Sequence, residues 1–134
     1  MTAEKKAIVE YRLERAQVTL EEARVLAENG SWAGCLNRTY YACFYAVNAL
    51  LLAHGLSSAK HSGVRSLFNK DFVNSGMVSR ESGSLYNHLF TNRMDSDYED
   101  LIAVDQDDVT STFQAAAGFL EEIEGLTRQR LDAE

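Results

Sequence analysis

The sequence of 134 residues contains no proline at any position. Because proline ends helices and marks turns and sheet edges, its absence favours long helices joined by short connections of glycine, asparagine and serine. Apolar residues recur at helical spacing along most of the chain, and no segment alternates apolar and polar residues clearly enough to predict a strand. The sequence therefore predicts an all-α fold: an antiparallel helical bundle of four long helices plus one short helix, in a single domain over residues 1–134.

Helix-ending and helix-capping residues divide the chain into five predicted helices. Gly30 and Gly76 follow helical segments and suit the left-handed conformation that ends a helix. Ser31, Ser79 and Asp105 precede helical segments and are predicted N-caps. The predicted helices cover residues 4–28, 32–54, 63–74, 79–93 and 105–130.

The first predicted helix carries apolar residues at helical spacing, with glutamate and arginine between them. They predict an amphipathic helix whose apolar side packs on the rest of the bundle. These residues are Ile8, Tyr11, Ala16, Val18, Ala23 and Leu26.

The second predicted helix is apolar over most of its circumference, which places it at the centre of the bundle. One row interrupts this pattern: Arg38, Tyr41, Tyr45 and Asn48 are spaced by three, four and three residues and therefore share one face. An arginine among buried aromatic residues has to reach solvent, pair with a carboxylate such as one of those in residues 95–100, or line a cavity. The row is a candidate site for a nucleotide or another anion. The tyrosines are equally explained as core residues whose hydroxyl groups reach a polar partner.

Cysteine and histidine usage argues against a redox or metal centre. Cys35 and Cys43 are eight residues apart, about two helical turns, which is too far for a disulfide. We expect buried, reduced thiols, as found in cytoplasmic proteins. The charged N-terminal segment does not resemble a signal peptide, and no apolar run is long enough to span a bilayer. The histidines have no ligand spacing, so neither a metal nor a cofactor is expected.

Charge is distributed unevenly around a formal net charge of −7. Residues 60–93 carry five basic and two acidic side chains, whereas residues 94–134 carry two basic and twelve acidic ones. The basic segment suits phosphate contacts, for which Arg65 is a candidate, although a solvated face explains it too. The acidic segment is either a solvated helix face or a docking face for a basic partner protein. Within it, residues 94–104 predict an irregular connection that lacks the glycine and terminal glutamate of a calcium-binding loop.

Three separate segments, in the same order, resemble one protein family. The segments are NRTYYACFYAVNALLLAHGL, KHSGVRSLFNKDFVNSGMV and NRMDSDYED. Together they resemble the HEPN domain in its small single-domain prokaryotic form, over about residues 7–126. The resemblance implies a helical bundle that pairs as a symmetric homodimer with an RNA-binding cleft between the protomers. Relatives of this form are associated with toxin–antitoxin systems and are often paired with a minimal nucleotidyltransferase.

The resemblance also implies site residues. In active members an Arg-x(4–6)-His motif from each protomer cuts RNA without metal: the arginine stabilises the phosphorane charge, and the histidine is the acid and base. Carried over, Arg93 takes the arginine position, and Tyr98 stands five residues later in place of the histidine. His61 supplies the imidazole if the loop before the third helix folds over Arg93. In some relatives the nucleotidyltransferase transfers AMP to a tyrosine near the motif, and Tyr98 loosely matches that acceptor.

Three hypotheses remain open. The first is a homodimer that binds RNA or nucleotide in its interface cleft and cuts RNA as a toxin-type endoribonuclease, with the degenerate motif Arg93-x4-Tyr98. The second is a non-catalytic helical adaptor or nucleotide-binding partner of a minimal nucleotidyltransferase. The third is a bundle that binds an anion along the row of the second helix. For Arg93 alone, a cation bonding the last carbonyl groups of a helix is the simplest explanation. The candidate catalytic residues are Arg93, Tyr98 and His61, and the candidate binding residues are Arg38, Tyr41, Tyr45 and Arg65.

Overall fold

The computed structural model describes residues 1–98 and 104–134, and the side chains of all of these except 94–98. This part of the chain contains five helices and no strand, which confirms the predicted all-α bundle of four long helices and one short helix. The helices are α1 (Ala3–Glu28), α2 (Trp32–Ala53), α3 (His61–Phe68), α4 (Arg80–Tyr98) and α5 (Gln106–Asp132). The short helix α3 continues into one π-helical turn over Asn69–Val73.

Helix α2 lies at the centre of the bundle, as its composition predicted. Tyr40, Cys43, Val47 and Leu50 are fully buried on it, against apolar side chains of the other helices. Both cysteines are free thiols and are buried, as expected. Burial raises the pKa of each thiol, so both remain protonated at neutral pH.

The buried side of α1 differs in part from the prediction, since Ala16 and Ala23 are buried as predicted. Val9, Leu13 and Ala16 face the core, whereas the exposed fractions of Ile8 and Tyr11 are 44% and 61%. Val9, Leu13 and Thr19 complete the buried side with these two alanines. The prediction failed for Ile8 and Tyr11 because more than one row of apolar residues on α1 has helical spacing.

Helix α4 is longer than predicted. The predicted end at Arg93 is wrong, because the helix continues to Tyr98, and the sequence has neither glycine nor proline in this stretch to stop it. Arg93 therefore lies inside the helix, and its explanation as a cation at a helix C-terminus is wrong. The remainder of the predicted irregular connection, residues 99–103, lies outside the described part of the chain.

Two of the predicted N-caps are confirmed. The Asp105 carboxylate accepts hydrogen bonds from the backbone N–H groups of Asp107 and Asp108, at 3.0 and 3.4 Å. The Ser79 hydroxyl accepts from the backbone N–H of Ser82 at 3.2 Å. Ser31 precedes α2 at the predicted position, but its side chain makes no capping hydrogen bond.

The start of α4, the helix that carries Arg93, is tied to α5 by a single carboxylate. Glu122 accepts hydrogen bonds from the backbone N–H and the hydroxyl of Ser79, both at 2.8 Å, and from the Ser82 hydroxyl at 2.7 Å. Burial by itself would raise the pKa of Glu122, but these three hydrogen bonds to the charged form outweigh burial and hold the pKa below its ordinary value.

We expect Glu122→Gln to lower the free energy of unfolding by about 1–2 kcal/mol at neutral pH, since it weakens charge-assisted hydrogen bonds. A carboxyl whose pKa is depressed by folding stabilises the protein above its unfolded pKa, and this stability is lost as the pH falls through the folded value. The difference between the two proteins should therefore shrink below about pH 4. Urea unfolding of both proteins at several pH values measures this difference in the free energy of unfolding. Glu121→Gln, an exposed neighbour on α5, is the control; equal effects of both variants would contradict the prediction.

Candidate functional site

Four aromatic side chains of α2 pack against one another along one side of the helix, which we call the α2 aromatic face: Tyr40, Tyr41, Phe44 and Tyr45. Their ring centroids are 5.3 Å apart for Tyr40 and Tyr41, 5.9 Å for Tyr41 and Phe44, and 6.1 Å for Phe44 and Tyr45. The spacing along the helix explains the arrangement, because residues one and four apart on α2 place two rows side by side. Tyr40 is buried and the other three rings are half-buried.

His61, the first residue of α3, packs on this face. Its ring stacks on Phe44 with centroids 4.3 Å apart and planes 7° apart, and its Nδ1 lies 2.9 Å from the Tyr40 hydroxyl oxygen. Burial raises the pKa of Tyr40 to about 12, so the phenol keeps its proton at neutral pH. When the Nδ1–H of a neutral His61 donates to the Tyr40 hydroxyl oxygen, Nε2 carries no proton and can accept one.

A close turn before α3 sets the position of His61. Gly63 faces the Ser58 side chain so closely that a Cβ atom there would collide with it. The Ser58 hydroxyl also accepts a hydrogen bond from the backbone N–H of Lys60 at 3.3 Å. The connection from α2 therefore folds tightly onto the start of α3.

Arg93 reaches the same two tyrosines from α4. Its Nη2 donates a hydrogen bond to the Tyr41 hydroxyl at 2.7 Å, and its guanidinium carbon lies 5.2 Å from the Tyr41 ring centroid and 5.5 Å from that of Tyr40. His61 and Arg93 therefore both contact the Tyr40–Tyr41 pair, and His61 does so from the first turn of α3, not from the loop before it.

Arg38 also contacts Tyr41. Its guanidinium carbon lies 5.2 Å from the Tyr41 ring centroid, and its Nε and Nη2 donate to the Asn37 side-chain oxygen at 3.0 and 2.8 Å. Its nearest described carboxylate is Glu22 on α1, at 3.6 Å. The carboxylates suggested from the sequence, in residues 95–100, lie outside the described side chains. Two guanidinium groups, Arg38 and Arg93, therefore lie against one tyrosine ring, where cation–π attraction favours them.

The other two candidate binding residues lie at the edges of this arrangement. The Arg65 guanidinium carbon is 4.4 Å from the Phe90 ring centroid, and that ring is 6.3 Å from Tyr40. Tyr45 is at the far end of the α2 aromatic face, with the Arg15 guanidinium carbon 5.5 Å from its ring centroid. Tyr45 borders Tyr41 with ring centroids 6.1 Å apart, and Arg65 is linked to Tyr40 through the Phe90 ring.

Sequence reasoning missed some members of the site and could not place another. Tyr40 and Phe44 were not candidates, although the double aromatic pairs at positions 40–41 and 44–45 already indicate a face two residues wide. The contact between Glu22 and Arg38 has no signal in the sequence. Tyr98 is the last residue of α4, and its side chain lies outside the described part of the structure.

Arg38 and Arg93 lie against a half-buried ring of the α2 aromatic face, in a chain whose net charge is negative. Guanidinium groups bind phosphate through forked hydrogen bonds, and aromatic rings stack on bases. Among the described residues, no three histidine, cysteine, aspartate or glutamate side chains are grouped so as to hold a metal ion. None of the helices in that part of the chain is both long and apolar enough to cross a membrane.

Comparison with known proteins identifies the family. A family model described as the HEPN domain matches residues 9–126. The chain is 45% identical to a UPF0332 protein of Thermotoga maritima, covering 92% of this chain and 93% of that protein. It is 33% identical to a candidate toxin of Methanocaldococcus jannaschii over 67% of both chains. A second candidate toxin of that organism is 30% identical, covering 75% of this chain and 68% of the relative. This chain belongs to the HEPN domain family.

Proposed function

We propose that this chain is a cytoplasmic, homodimeric toxin-type effector that binds RNA on the α2 aromatic face and cuts it without a metal ion. The observation that carries the proposal is the meeting of Arg93, Arg38 and His61 on the Tyr40–Tyr41 pair. Two relatives are candidate toxins by name, which supports an effector role for this chain.

Binding uses the charges and rings of this face. Arg38 and Arg93, both against Tyr41, hold the phosphate at the cleavage position by charge-assisted hydrogen bonds. Arg65 extends the positive surface along α3, where it contacts the next phosphate. Tyr45 offers a half-buried ring for base stacking.

Cleavage needs a base, a charge stabiliser and an acid. His61 takes the proton of the ribose 2′-hydroxyl, whose oxygen attacks the adjacent phosphorus. The bond from phosphorus to the 5′ oxygen breaks, that oxygen takes a proton from solvent water, and a 2′,3′-cyclic phosphate remains. Arg93 stabilises the charge of the five-coordinate phosphorus, and Tyr98 donates a hydrogen bond to the leaving oxygen.

One feature favours a second candidate function. Tyr98 stands where active family members have a histidine, and a phenol with the ordinary tyrosine pKa near 10 is a poor base at neutral pH. In this alternative the chain is a non-catalytic adaptor that binds a nucleotide and is held or modified by a minimal nucleotidyltransferase. Transfer of AMP to Tyr98, seen as a mass increase after incubation with such a partner and ATP, separates the two functions.

The proposal is tested with the purified chain and end-labelled single-stranded RNA in the presence of EDTA. We expect binding that weakens as salt rises, and cleavage products that end in 2′,3′-cyclic phosphate. Arg38→Ala should flatten the slope of log affinity against log salt by about 0.7, the value for one lost phosphate contact on a single strand. Arg24→Ala, which removes an exposed arginine of α1 that pairs with Glu21 and Glu28, is the control.

Two results would contradict the proposal. RNA binding that does not respond to salt, or that is equally affected by Arg38→Ala and Arg24→Ala, would remove the α2 aromatic face as the binding surface. Salt-dependent binding without cleavage would leave the binding surface in place and favour the adaptor function.

A further inference from the structure

We infer that the seam between α1 and α2 binds the nucleotides of a single-stranded RNA that extend beyond the cleavage position. This inference rests on the RNA binding of the proposed function and adds a second subsite, whose arginines have no role in that proposal. The subsite, which we call the arginine track, contains Arg12 and Arg15 of α1 and Tyr45 and Asn48 of α2.

The antiparallel packing of α1 on α2 places the two arginines in one row. Arg12 Nη1 donates a long hydrogen bond to the backbone carbonyl oxygen of Asn48, at 3.5 Å, and the Arg15 guanidinium carbon lies 5.5 Å from the Tyr45 ring centroid. The two pairs are three residues apart on each helix, which is about one turn. All four side chains are half-buried, so each arginine is held at the seam and keeps part of its surface open to solvent.

Carboxylates do not compensate the charge of the arginine track. Within the part of the chain that the structure describes, neither Arg12 nor Arg15 pairs with an acidic side chain. Arginines on other surfaces do, since Arg24, Arg128 and Arg130 each pair with one or two glutamates. Like charges one helical turn apart repel each other, and a bound anion relieves this repulsion. A chain with a net charge of −7 therefore offers two adjacent cations to an anionic ligand at this seam.

The arginine track is continuous with the proposed cleavage position. The Tyr45 ring centroid lies 6.1 Å from that of Tyr41, the ring against which both guanidinium groups of the cleavage position lie. Positions 41, 45 and 48 of α2 span about 10 Å along the helix axis. A strand whose scissile phosphate is held at Tyr41 therefore meets Arg15 first and Arg12 one turn later.

The chemistry of the arginine track fits a single-stranded nucleic acid. Its guanidinium groups bind phosphates, and its half-buried tyrosine ring is a surface on which a base stacks. A mononucleotide would use only one arginine and the ring. A duplex keeps its bases paired and stacked inside the helix, so they do not reach Tyr45. An acidic protein segment supplies carboxylates but no planar base for the ring. The track therefore takes one phosphate at Arg15 and one at Arg12, with a base on Tyr45.

Binding of uncleavable RNA of two lengths tests the arginine track. The probes are fluorescent 2′-O-methyl oligouridylates of about four and about eight nucleotides, lengths within the usual range of single-strand sites, and they lack the hydroxyl that attacks phosphorus. We expect the wild type to bind the longer probe at least 30-fold more tightly than the shorter one. In Arg12→Ala/Arg15→Ala this ratio should fall below about fivefold, the gain that extra binding registers alone provide. For the longer probe, the slope of log affinity against log salt should flatten by about 1.4, because each lost phosphate contact contributes about 0.7.

Arg24→Ala/Arg128→Ala is the matched control, since it removes the same number of arginines from surfaces where glutamates pair with them. It should keep both the affinity ratio and the salt slope of the wild type. Thermal unfolding checks that each variant is folded. If Arg12→Ala/Arg15→Ala does not fold, Arg12→Gln/Arg15→Gln takes its place, because it removes the charges and keeps polar side chains at the seam. It should show the same loss of the affinity ratio.

The outcomes separate this inference from the proposed function. A ratio that the folded double variant retains, or that the control loses equally, overturns the arginine track. So does a wild type that binds uridine monophosphate as tightly as the longer probe, or a double variant that weakens only the binding of a protein partner. Cleavage that depends on Arg38 without any advantage of the longer probe removes the track and leaves the proposed function in place.

The reverse result is equally informative. If the longer probe depends on Arg12 and Arg15 as described, while Arg38→Ala changes neither probe and RNA is not cleaved, the proposed function is wrong and the arginine track remains a nucleic-acid site. Absence of binding to RNA of either length contradicts both.

Discussion

Replacing Arg93 with alanine is expected to lower RNA cleavage at least 100-fold, because in the proposed mechanism its guanidinium stabilises charge on the reacting phosphorus. The Arg93 guanidinium is held by the Tyr41 hydroxyl at 2.7 Å and by two tyrosine rings, so its position is fixed before RNA binds. Arg93→Lys keeps the charge but loses the forked donor, and its activity should be intermediate. Single-turnover cleavage in EDTA measures the effect, and relief of growth arrest on expression provides a cellular measurement.

Arg80→Ala is the matched control for Arg93, since it removes an exposed arginine at the start of the same helix. It should retain the wild-type rate. If a folded Arg93→Ala protein cleaves RNA as fast as the wild type, Arg93 has no catalytic role and the proposed mechanism is wrong. If thermal unfolding shows that Arg93→Ala does not fold, Arg93→Lys becomes the test. Cleavage by Arg93→Lys at the wild-type rate would then contradict forked binding of the phosphate by Arg93.

His61→Gln is expected to lower the cleavage rate about 10²- to 10⁴-fold, the usual contribution of general acid–base catalysis. RNA affinity should change less than threefold, because the arginines of the site remain. Glutamine can still form a hydrogen bond with the Tyr40 hydroxyl, so the buried phenol keeps a partner. The rate should also lose the pH dependence near neutrality that an imidazole base gives.

The control for His61 is His88→Gln on α4. His88 is exposed, and its Nε2 lies 2.8 Å from the Asp108 carboxylate, away from the α2 aromatic face. We expect this variant to keep both its rate and its pH profile. If His61→Gln binds RNA and cleaves it as fast as the wild type and His88→Gln do, another residue is the base.

Helix starts and ends were predictable where the signal is local. Gly30, Gly55 and Gly76 adopt φ angles of 74°, 77° and 84°, and each follows a helical segment that the sequence already delimited. Asp105 and Ser79 cap helices through bonds that reach only two or three residues along the chain. Where no such residue occurs, as after Arg93, the predicted end of α4 was wrong.

The side of a helix that packs was not predictable in the same way. On α1, residues such as Tyr11 and Val18 satisfied helical spacing as well as Val9 and Leu13 did, yet the bundle buries Val9 and Leu13. Periodicity shows that a helix has apolar rows. It does not show which row packs against the other helices of the bundle, because that depends on how closely the neighbouring helix can approach.

By itself, the sequence determined the all-α class, the central position of α2, and the row that contains Arg38, Tyr41 and Tyr45, since these follow from composition and short-range spacing. The tertiary structure alone decided that His61 meets Tyr40, that Arg93 meets Tyr41, and that Glu22 pairs with Arg38. Each of these contacts joins residues at least 16 positions apart, and such contacts depend on the packing of whole helices against one another. No local rule of the sequence encodes that packing.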